Sequence, residues 1–382
     1  MAFPMKLEKK LLKRKLENSL RELKLPSEGV DFYSNDYLGF SSSRLIYEKA
    51  EKILKLQKLK NGATGSRLLS GNLTIFAETE ARVAKFHQSE SAILFNSGYD
   101  ANMGFFSSVP QKGDVILFDE YAHASIRDGL RMSLARSFKF RHNDLGHLRE
   151  LLVKFQHFDT IYVVTESVFS MDGDSPDVQE LLKIVREFQA LLVVDEAHAV
   201  GVCGKDFKGL FQEESGAVFA RIVTFGKAMG CHGAAILGSK ILKDYLVNFA
   251  RSFIYTTAMS PHSVATIAAA YGYFEEILDR EPGELQQLRD NLQFFEEEIQ
   301  KKGLSQHFIV SESAIRSCLV PGNEAVKKLS EEMLKSGFIV KPILSPTVPK
   351  GEERLRFCIH AYNSRAEISE VLKLLGTFVS KV

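Results

Sequence analysis

The sequence has few cysteines, almost no net charge and no long apolar run, and each absence excludes a class of protein. The four cysteines form no C-x-x-C pair, so we predict neither a zinc site nor a disulfide framework, and no metal. The formal net charge of +1 provides no overall field that would recruit nucleic acid. No apolar run approaches about 18 residues, and the charged N-terminus lacks the apolar core of a signal peptide. We therefore expect a cytoplasmic protein with no membrane or nucleic-acid partner.

The 382 residues are enough for one large domain and a smaller one. Leucines near helical spacing, with Lys and Arg between them, predict an amphipathic N-terminal arm over residues 1–30. We expect this arm to pack on the body or on a partner subunit. A large domain is predicted over residues 31–278, and a small C-terminal α/β domain over residues 279–382.

The middle of the chain alternates short apolar runs with longer helical patterns, which is typical of parallel βαβ units. The predicted fold class is therefore α/β, with a large, mostly parallel sheet covered on both faces. Polar side chains follow these runs, at the carboxyl edge where open parallel sheets bind ligands. They are His123, Glu166, Ser170, Asp195, His198 and Lys227.

Residues 193–201 (VVDEAHAVG) contain the letters DEAH, which also occur in the metal-binding strand of some ATP-driven helicases. An ATPase also needs the phosphate-binding pattern G-x-x-x-x-G-K-[ST]. The Gly-Lys pairs at Lys205 and Lys227 are followed by Asp and Ala, not by Ser or Thr. The sequence therefore disfavours an ATPase, and Asp195 is expected to serve a different cofactor.

Lys227 lies in the Gly-flanked stretch TFGKAMG after a predicted strand. A lysine in this position is a candidate for a Schiff base, although a lone lysine is ordinarily an exposed surface residue. Pyridoxal phosphate needs such a lysine, and it needs an acid against its pyridine nitrogen. Asp195, at the end of a neighbouring predicted strand, can supply that charge-assisted contact.

The phosphate of this cofactor needs donors at the start of a helix. Ser97, Gly98 and Tyr99 follow a predicted strand and precede a predicted helix, so their main-chain N–H groups suit a dianion. Gly98 permits close approach. An ordinary helix cap is the alternative, and a cap and an anion site can coincide. Thr224 is a candidate hydroxyl donor to the same phosphate.

The DEAH and TFGK stretches together resemble the α-oxoamine synthases, a family of fold-type I pyridoxal-phosphate enzymes. Five further stretches have counterparts in the same order: NDYLG at 35–39, GATGSRLLSGN at 62–72, NSGYDAN at 96–102, AHAS at 122–125 and ESVFSMDGD at 166–174. One position departs from the pattern, because Asn363 stands where the family often has His. We therefore assign no family role to Asn363, whereas Arg356, earlier in the chain, keeps its assignment.

The resemblance implies four catalytic roles. Lys227 forms the covalent link and acts as the base at the substrate α-carbon, and Asp195 pairs with the pyridinium. His198 hydrogen-bonds the phenolic oxygen, and His123 stacks on the ring face. Glu166 and Ser170 are further expected cofactor contacts.

The resemblance also implies a substrate site and a homodimer. Arg356, with Asn35, is expected to bind the substrate carboxylate, although strand alternation alone does not choose between Arg354 and Arg356. Thr256 or Thr257 is expected to reach the cofactor phosphate of a second subunit.

The implied reaction is a decarboxylative Claisen condensation of an amino acid with an acyl thioester of CoA or of a carrier protein. The SRLLSGN form most resembles the family member that joins L-alanine to a pimeloyl thioester in biotin biosynthesis. Members that use glycine with acetyl-CoA or serine with palmitoyl-CoA are alternatives. A different alternative is a catalytically silent partner subunit, which would be expected to lack the lysine.

Overall fold

The computed structural model describes residues 3–23, 28–278 and 283–379, and their contacts form two compact units. The larger unit comprises Asp36–Ser170 and Ser175–Gln286, and the smaller one comprises Met1–Asn35, Met171–Asp174 and Gln287–Val382. The predicted domain boundaries stay predictions, and the one at 278 and 279 adjoins residues 279–282, which lie outside the described residues.

The smaller unit contains a four-stranded sheet. Its elements are α1 (Met5–Leu16), β1 (Val30–Phe32), most of α11 (Glu284–Lys301), β9 (Ile315–Leu319), α12 (Asn323–Lys335), β10 (Phe338–Ile343), β11 (Arg354–Cys358) and α13 (Arg365–Val379). The strand order is β1-β10-β11-β9. β1 runs parallel to β10, whereas β11 runs antiparallel to both of its neighbours. The pairing of β1 with β10 explains why the N-terminal residues group with the C-terminal part of the chain.

The larger unit contains a seven-stranded sheet. Its strands are β2 (Ser91–Phe95), β3 (Val115–Asp119), β4 (Arg136–Phe140), β5 (Ile161–Glu166), β6 (Leu191–Asp195), β7 (Ala220–Thr224) and β8 (Ala234–Gly238). The order is β2-β8-β7-β6-β5-β3-β4, and only the pairings of β8 with β2 and β7 are antiparallel among these described strands. The predicted mostly parallel α/β sheet is confirmed.

Helices supply the rest of the larger unit. They are α2 (Arg44–Leu56), α3 (Thr74–Phe86), α4 (Gly98–Phe106), α5 (Ala124–Met132), α6 (Leu145–Phe155), α7 (Val178–Glu187), α8 (Lys240–Phe249), α9 (Arg251–Ile254) and α10 (Pro261–Ile277). None of these, or of the other described helices, combines the length and apolar character that a bilayer crossing requires.

The sheet of the larger unit buries both of its faces. Val164 and Val193 belong to one apolar cluster with residues of α4, α5 and α8. Val163 and Val194, their immediate neighbours in sequence, belong to a second cluster with residues of α6 and α7. Because side chains alternate along a strand, continuous apolar runs arise where helices cover both faces of a sheet. Glu166 and Asp195, the polar residues of β5 and β6 discussed below, lie at the ends of these strands.

Candidate active site

Three neighbouring parallel strands end in polar residues at one edge of the sheet. β5 ends at Glu166, β6 at Asp195 and β7 at Thr224. The register pairs Glu166 with Asp195 directly across β5 and β6. The sequence-predicted clustering of polar side chains at the carboxyl edge is thus present in the larger unit.

Asp195 is a buried carboxylate held by two donors. Asn102 Nδ2 donates to Asp195 Oδ2 at 2.8 Å, and the Ala197 main-chain N–H donates to Oδ1 at 3.0 Å. These two hydrogen bonds fix the direction of the carboxylate. Asn102 lies on α4, so the helix after β2 orients the acid at the end of β6.

A hydrogen-bonded chain continues from Asp195 to His123. Asn102 Nδ2 also donates to Ser125 Oγ at 3.0 Å, and Ser125 Oγ lies 2.7 Å from His123 Nδ1. The Ser125 main-chain N–H also donates to His123 Nδ1, so this nitrogen accepts and the proton of the neutral ring is on Nε2. His123 is the residue that caps α5.

The charges of Asp195 and Lys227 act on both His123 and Glu166. Burial lowers the pKa of His123; the Asp195 charge opposes this shift and the Lys227 charge adds to it. Burial raises the pKa of Glu166 well above its usual range, and the Asp195 charge raises it further against the effect of Lys227. Perturbed groups clustered at a sheet edge are typical of a functional site.

Lys227 lies half-buried on a tight turn after β7. The Gly230 N–H donates to the Lys227 carbonyl at 2.8 Å, and the Cys231 N–H donates to the Phe225 carbonyl at 2.7 Å. Gly230 has φ +60°, and a Cβ there would lie 2.2 Å from the Ser41 nitrogen. The turn therefore requires glycine at this position.

His198 is buried and has a defined partner. Its Nδ1 lies 2.8 Å from the Tyr37 hydroxyl, within the larger unit. Tyr37 is the tyrosine of the NDYLG stretch and is fully buried. The tyrosine thus fixes the orientation of the imidazole in the turn that follows Asp195.

The start of α4 has the properties of an anion site. Ser97 caps the helix, with its Oγ accepting from the Asp100 N–H at 3.0 Å. Across the described residues, the main-chain N–H groups of Gly98 and Tyr99 have no protein acceptor. A Cβ placed on Gly98 would lie 3.7 Å from Thr224 Oγ1, so Thr224 faces the same helix start.

Two predicted phosphate contacts have partners within the protein. The Tyr99 hydroxyl donates to Asp128 at 2.5 Å on the surface, which leaves its main-chain N–H as its possible phosphate contact. The Thr224 hydroxyl donates to the Gly233 carbonyl at 3.2 Å.

Thr256 and Thr257 lie beside the start of α4 of their own chain. Asn96 Nδ2 donates to Thr256 Oγ1 and to the Thr257 carbonyl, each at 3.0 Å. The expectation that this segment completes a partner's site stays a prediction. Ser170 lies half-buried in the turn after β5, and its role also stays a prediction.

The smaller unit contains the predicted carboxylate-binding pair. Arg356 Nη2 donates to Asn35 Oδ1 at 3.0 Å, and its Nη1 contacts Cys358 Sγ at 3.1 Å. Arg354 instead forms a buried ion pair with Asp172. The choice of Arg356 over Arg354 for the substrate carboxylate stays a prediction.

Asn363, the position that departs from the family pattern, has a structural role in the smaller unit. Its Oδ1 accepts from the His360 N–H at 2.9 Å, and its Nδ2 donates to the Asp31 carbonyl at 3.0 Å. The amide therefore ties the turn after β11 to β1.

Sequence reasoning missed three residues of the site, Asn102, Ser125 and Tyr37. Each lies inside a stretch quoted for the family resemblance, yet none was given a role. A signal existed for Asn102, since it is a polar residue on a helix face otherwise made of Ala101, Phe105 and other buried apolar residues.

Comparison with known proteins shows the family of this chain. The sequence model of the family described as aminotransferase class I and II matches residues 27–375. The chain belongs to this family. The α-oxoamine synthase resemblance is also confirmed by a relative named 8-amino-7-oxononanoate synthase, from Emericella nidulans. It is 37% identical over 399 aligned residues, covering 98% of this chain and 94% of the relative.

Solved structures of aminotransferase class I and II relatives extend the similarity to the fold. Sphingomonas wittichii serine palmitoyltransferase has a TM-score of 0.88 at 25% identity, covering 100% of this chain and 99% of that one. A serine palmitoyltransferase solved with pyridoxal phosphate has the same score, identity and coverage. The 8-amino-7-oxononanoate synthase of Francisella tularensis has a TM-score of 0.76 at 28% identity, covering 92% and 98%.

Proposed function

We propose that this chain is a pyridoxal-phosphate-dependent 8-amino-7-oxononanoate synthase. It joins L-alanine to a pimeloyl thioester and releases carbon dioxide and the free thiol of CoA or a carrier protein. The observation that carries the proposal is the buried Asp195 carboxylate, oriented by Asn102, at the sheet edge where the Lys227 charge acts on the same neighbours. The 37% identity to the Emericella nidulans enzyme supports the choice of reaction.

The residues present fit the cofactor. The N–H groups of Gly98 and Tyr99 at the start of α4 suit its phosphate, and the bare Cα of Gly98 allows close approach. The Asp195 carboxylate suits the protonated ring nitrogen of the cofactor, and the Lys227 amine suits its aldehyde carbon. When bound, the cofactor supplies an electron-accepting ring that stabilises negative charge at the substrate α-carbon.

The side chains of this protein then divide the remaining work. Lys227 Nζ would remove the α-proton of alanine and donate a proton after carbon dioxide leaves. His198, held through Nδ1 by Tyr37, would use Nε2 for the phenolic oxygen of the cofactor. His123 would lie against the ring face and exclude water there. In the smaller unit, Arg356 with Asn35 is the receptor for the substrate carboxylate.

We also propose a homodimer in which Thr256 or Thr257 serves the partner's site, and the predicted cytoplasmic location stays a prediction. Asn96 holds both threonines beside the start of α4, the proposed phosphate site, which supports a role for this segment at that group. Sedimentation at assay concentration tests the dimer, and an active monomer contradicts it.

The substrate assignment is tested with purified enzyme against alanine, glycine and serine, each with pimeloyl, acetyl and palmitoyl thioesters. We expect 8-amino-7-oxononanoate as the main product by mass spectrometry, and growth without biotin of a bacterium that lacks its own synthase. Lys227→Ala is the control, and it is expected to lose both.

Turnover of glycine with acetyl-CoA, without the alanine reaction, reassigns the chain to 2-amino-3-ketobutyrate CoA ligase activity. Serine with palmitoyl-CoA reassigns it to serine palmitoyltransferase activity. No turnover by soluble, cofactor-loaded protein supports the silent-subunit alternative.

A further inference from the structure

The carboxyl edge of the large sheet contains two buried carboxyl groups side by side. Glu166 ends β5, and its register partner on β6 is Asp195. Glu166 is 3% exposed and Asp195 is 7% exposed. Two negative charges at paired positions of neighbouring strands and away from water repel each other, so the pair is more stable when one of the two groups carries a proton. One of the two groups is therefore expected to be neutral.

The hydrogen bonds indicate which group keeps the charge. Asp195 accepts from the Asn102 side chain and from the Ala197 N–H, and two donors stabilise an anion. Glu166 Oε1 accepts a hydrogen bond from the His123 main-chain N–H at 2.6 Å. A neutral carboxylic acid retains a carbonyl oxygen that accepts from this N–H.

The surrounding charges point the same way. Burial raises the pKa of Glu166 most, and the carboxylates of Asp195 and, more weakly, Asp119 on β3 raise it further. Lys227, after β7, and the N–H of His123, at the start of α5, act against this shift without cancelling it.

We propose that Glu166 is a neutral acid that positions His123 through its main-chain N–H and leaves the negative charge of the pair on Asp195. His123 is then anchored at both ends, by Glu166 at its main chain and by Ser125 at Nδ1. An ionised Glu166 would compete with Asp195 for the positive charges of the site. The positioning of His123 against a cofactor ring rests on the proposed function; the protonation of Glu166 does not.

The protonation is tested by infrared spectroscopy of the purified enzyme, with and without cofactor. We expect a carbonyl stretch of a protonated carboxyl group at pH 7 that shifts when glutamate is labelled with carbon-13. The band should be missing in Glu166→Gln. The isotope assigns the band to glutamate in the wild-type chain, and its loss in Glu166→Gln assigns it to Glu166. A wild-type spectrum without a protonated glutamate band at pH 7 overturns the inference.

The positioning role is tested by turnover against pH in three variants. Gln is neutral and keeps the acceptor for the His123 N–H, so Glu166→Gln is expected to exceed Glu166→Ala in kcat by about tenfold at pH 7. It should also lose the alkaline limb that ionisation of Glu166 gives the wild type. Asp195→Asn is expected to be far less active than either variant.

Two outcomes separate this inference from the proposed function. If Glu166→Gln is as inactive as Asp195→Asn while the wild-type enzyme condenses alanine, the inference fails and the function stands. If the glutamate band is present but no alanine is condensed, the neutral Glu166 stands and the proposed reaction fails.

Discussion

Replacing Asn102 by alanine is expected to slow proton removal from the substrate, although Asn102 needs no contact with substrate to do so. Its Nδ2 donates to Asp195 Oδ2 at 2.8 Å. A hydrogen bond to a charged group contributes about 1.5–3 kcal/mol, and each 1.36 kcal/mol is tenfold in rate. Loss of the whole contribution in the transition state therefore lowers kcat by roughly 10- to 150-fold.

The assay for Asn102→Ala is exchange of the alanine α-proton in deuterated buffer, followed by NMR, which isolates the step that Asp195 supports. Ser125→Ala is the matched control, because it removes the other side-chain acceptor of Asn102 and leaves the contact with Asp195. The control is expected to lose less exchange than Asn102→Ala. If Asn102→Ala binds cofactor and exchanges the α-proton within twofold of the wild-type rate, Asn102 does not support proton removal through Asp195.

Three further predictions concern stability. Arg221→Met leaves the buried Glu196 carboxylate without its ion pair and should lower the free energy of unfolding by about 3–5 kcal/mol, measured by urea titration. Adding Glu196→Gln to this variant should recover part of the loss. A double variant with no recovery would contradict the pairing. Gly230→Ala should reduce the yield of folded, cofactor-binding protein, because residue 230 has a positive φ and its new Cβ would meet the Ser41 nitrogen. Gly216→Ala is the control, since a Cβ there has no heavy atom within 4 Å, and its yield should not fall. Equal yields of the two variants would show that the turn after β7 does not require glycine at 230. Burial, helped by the Arg221 charge, lowers the pKa of His87 well below 6.5, so its contribution to stability is present above that pH and is lost as the pH falls through the folded value. The thermal midpoint of His87→Phe should therefore change less between pH 7 and pH 5 than that of wild type, and parallel curves would exclude His87 as a cause.

The apolar runs in the middle of the chain predicted a mostly parallel sheet, but not the direction of each strand. Continuous apolar runs mark β5, β6 and β7, because both faces of the sheet are covered. β4 has no such run, since its burial alternates little and Arg136 and Lys139 lie on an edge strand. The antiparallel direction of β8 depends on pairing with β2 and β7, which local pattern does not encode.

The site was predicted as residue types at strand ends, not as a set of contacts. Asp195 was found because a strand end places it at the ligand-binding edge. Its partner Asn102 is 93 residues away on a helix, and only folding brings the two together. The ion pair of Arg354 with Asp172 likewise joins residues that are far apart in the sequence, and local pattern does not encode it.

We propose that Lys227 carries the cofactor at the carboxyl edge where Asp195 lies. The most direct measurement is reduction of the purified yellow enzyme with borohydride, followed by proteolysis and mass spectrometry of the peptides. We predict one pyridoxyl group, on the peptide that contains Lys227, and no label in Lys227→Ala. Label on a different lysine, or equal label in Lys227→Ala, would contradict the account.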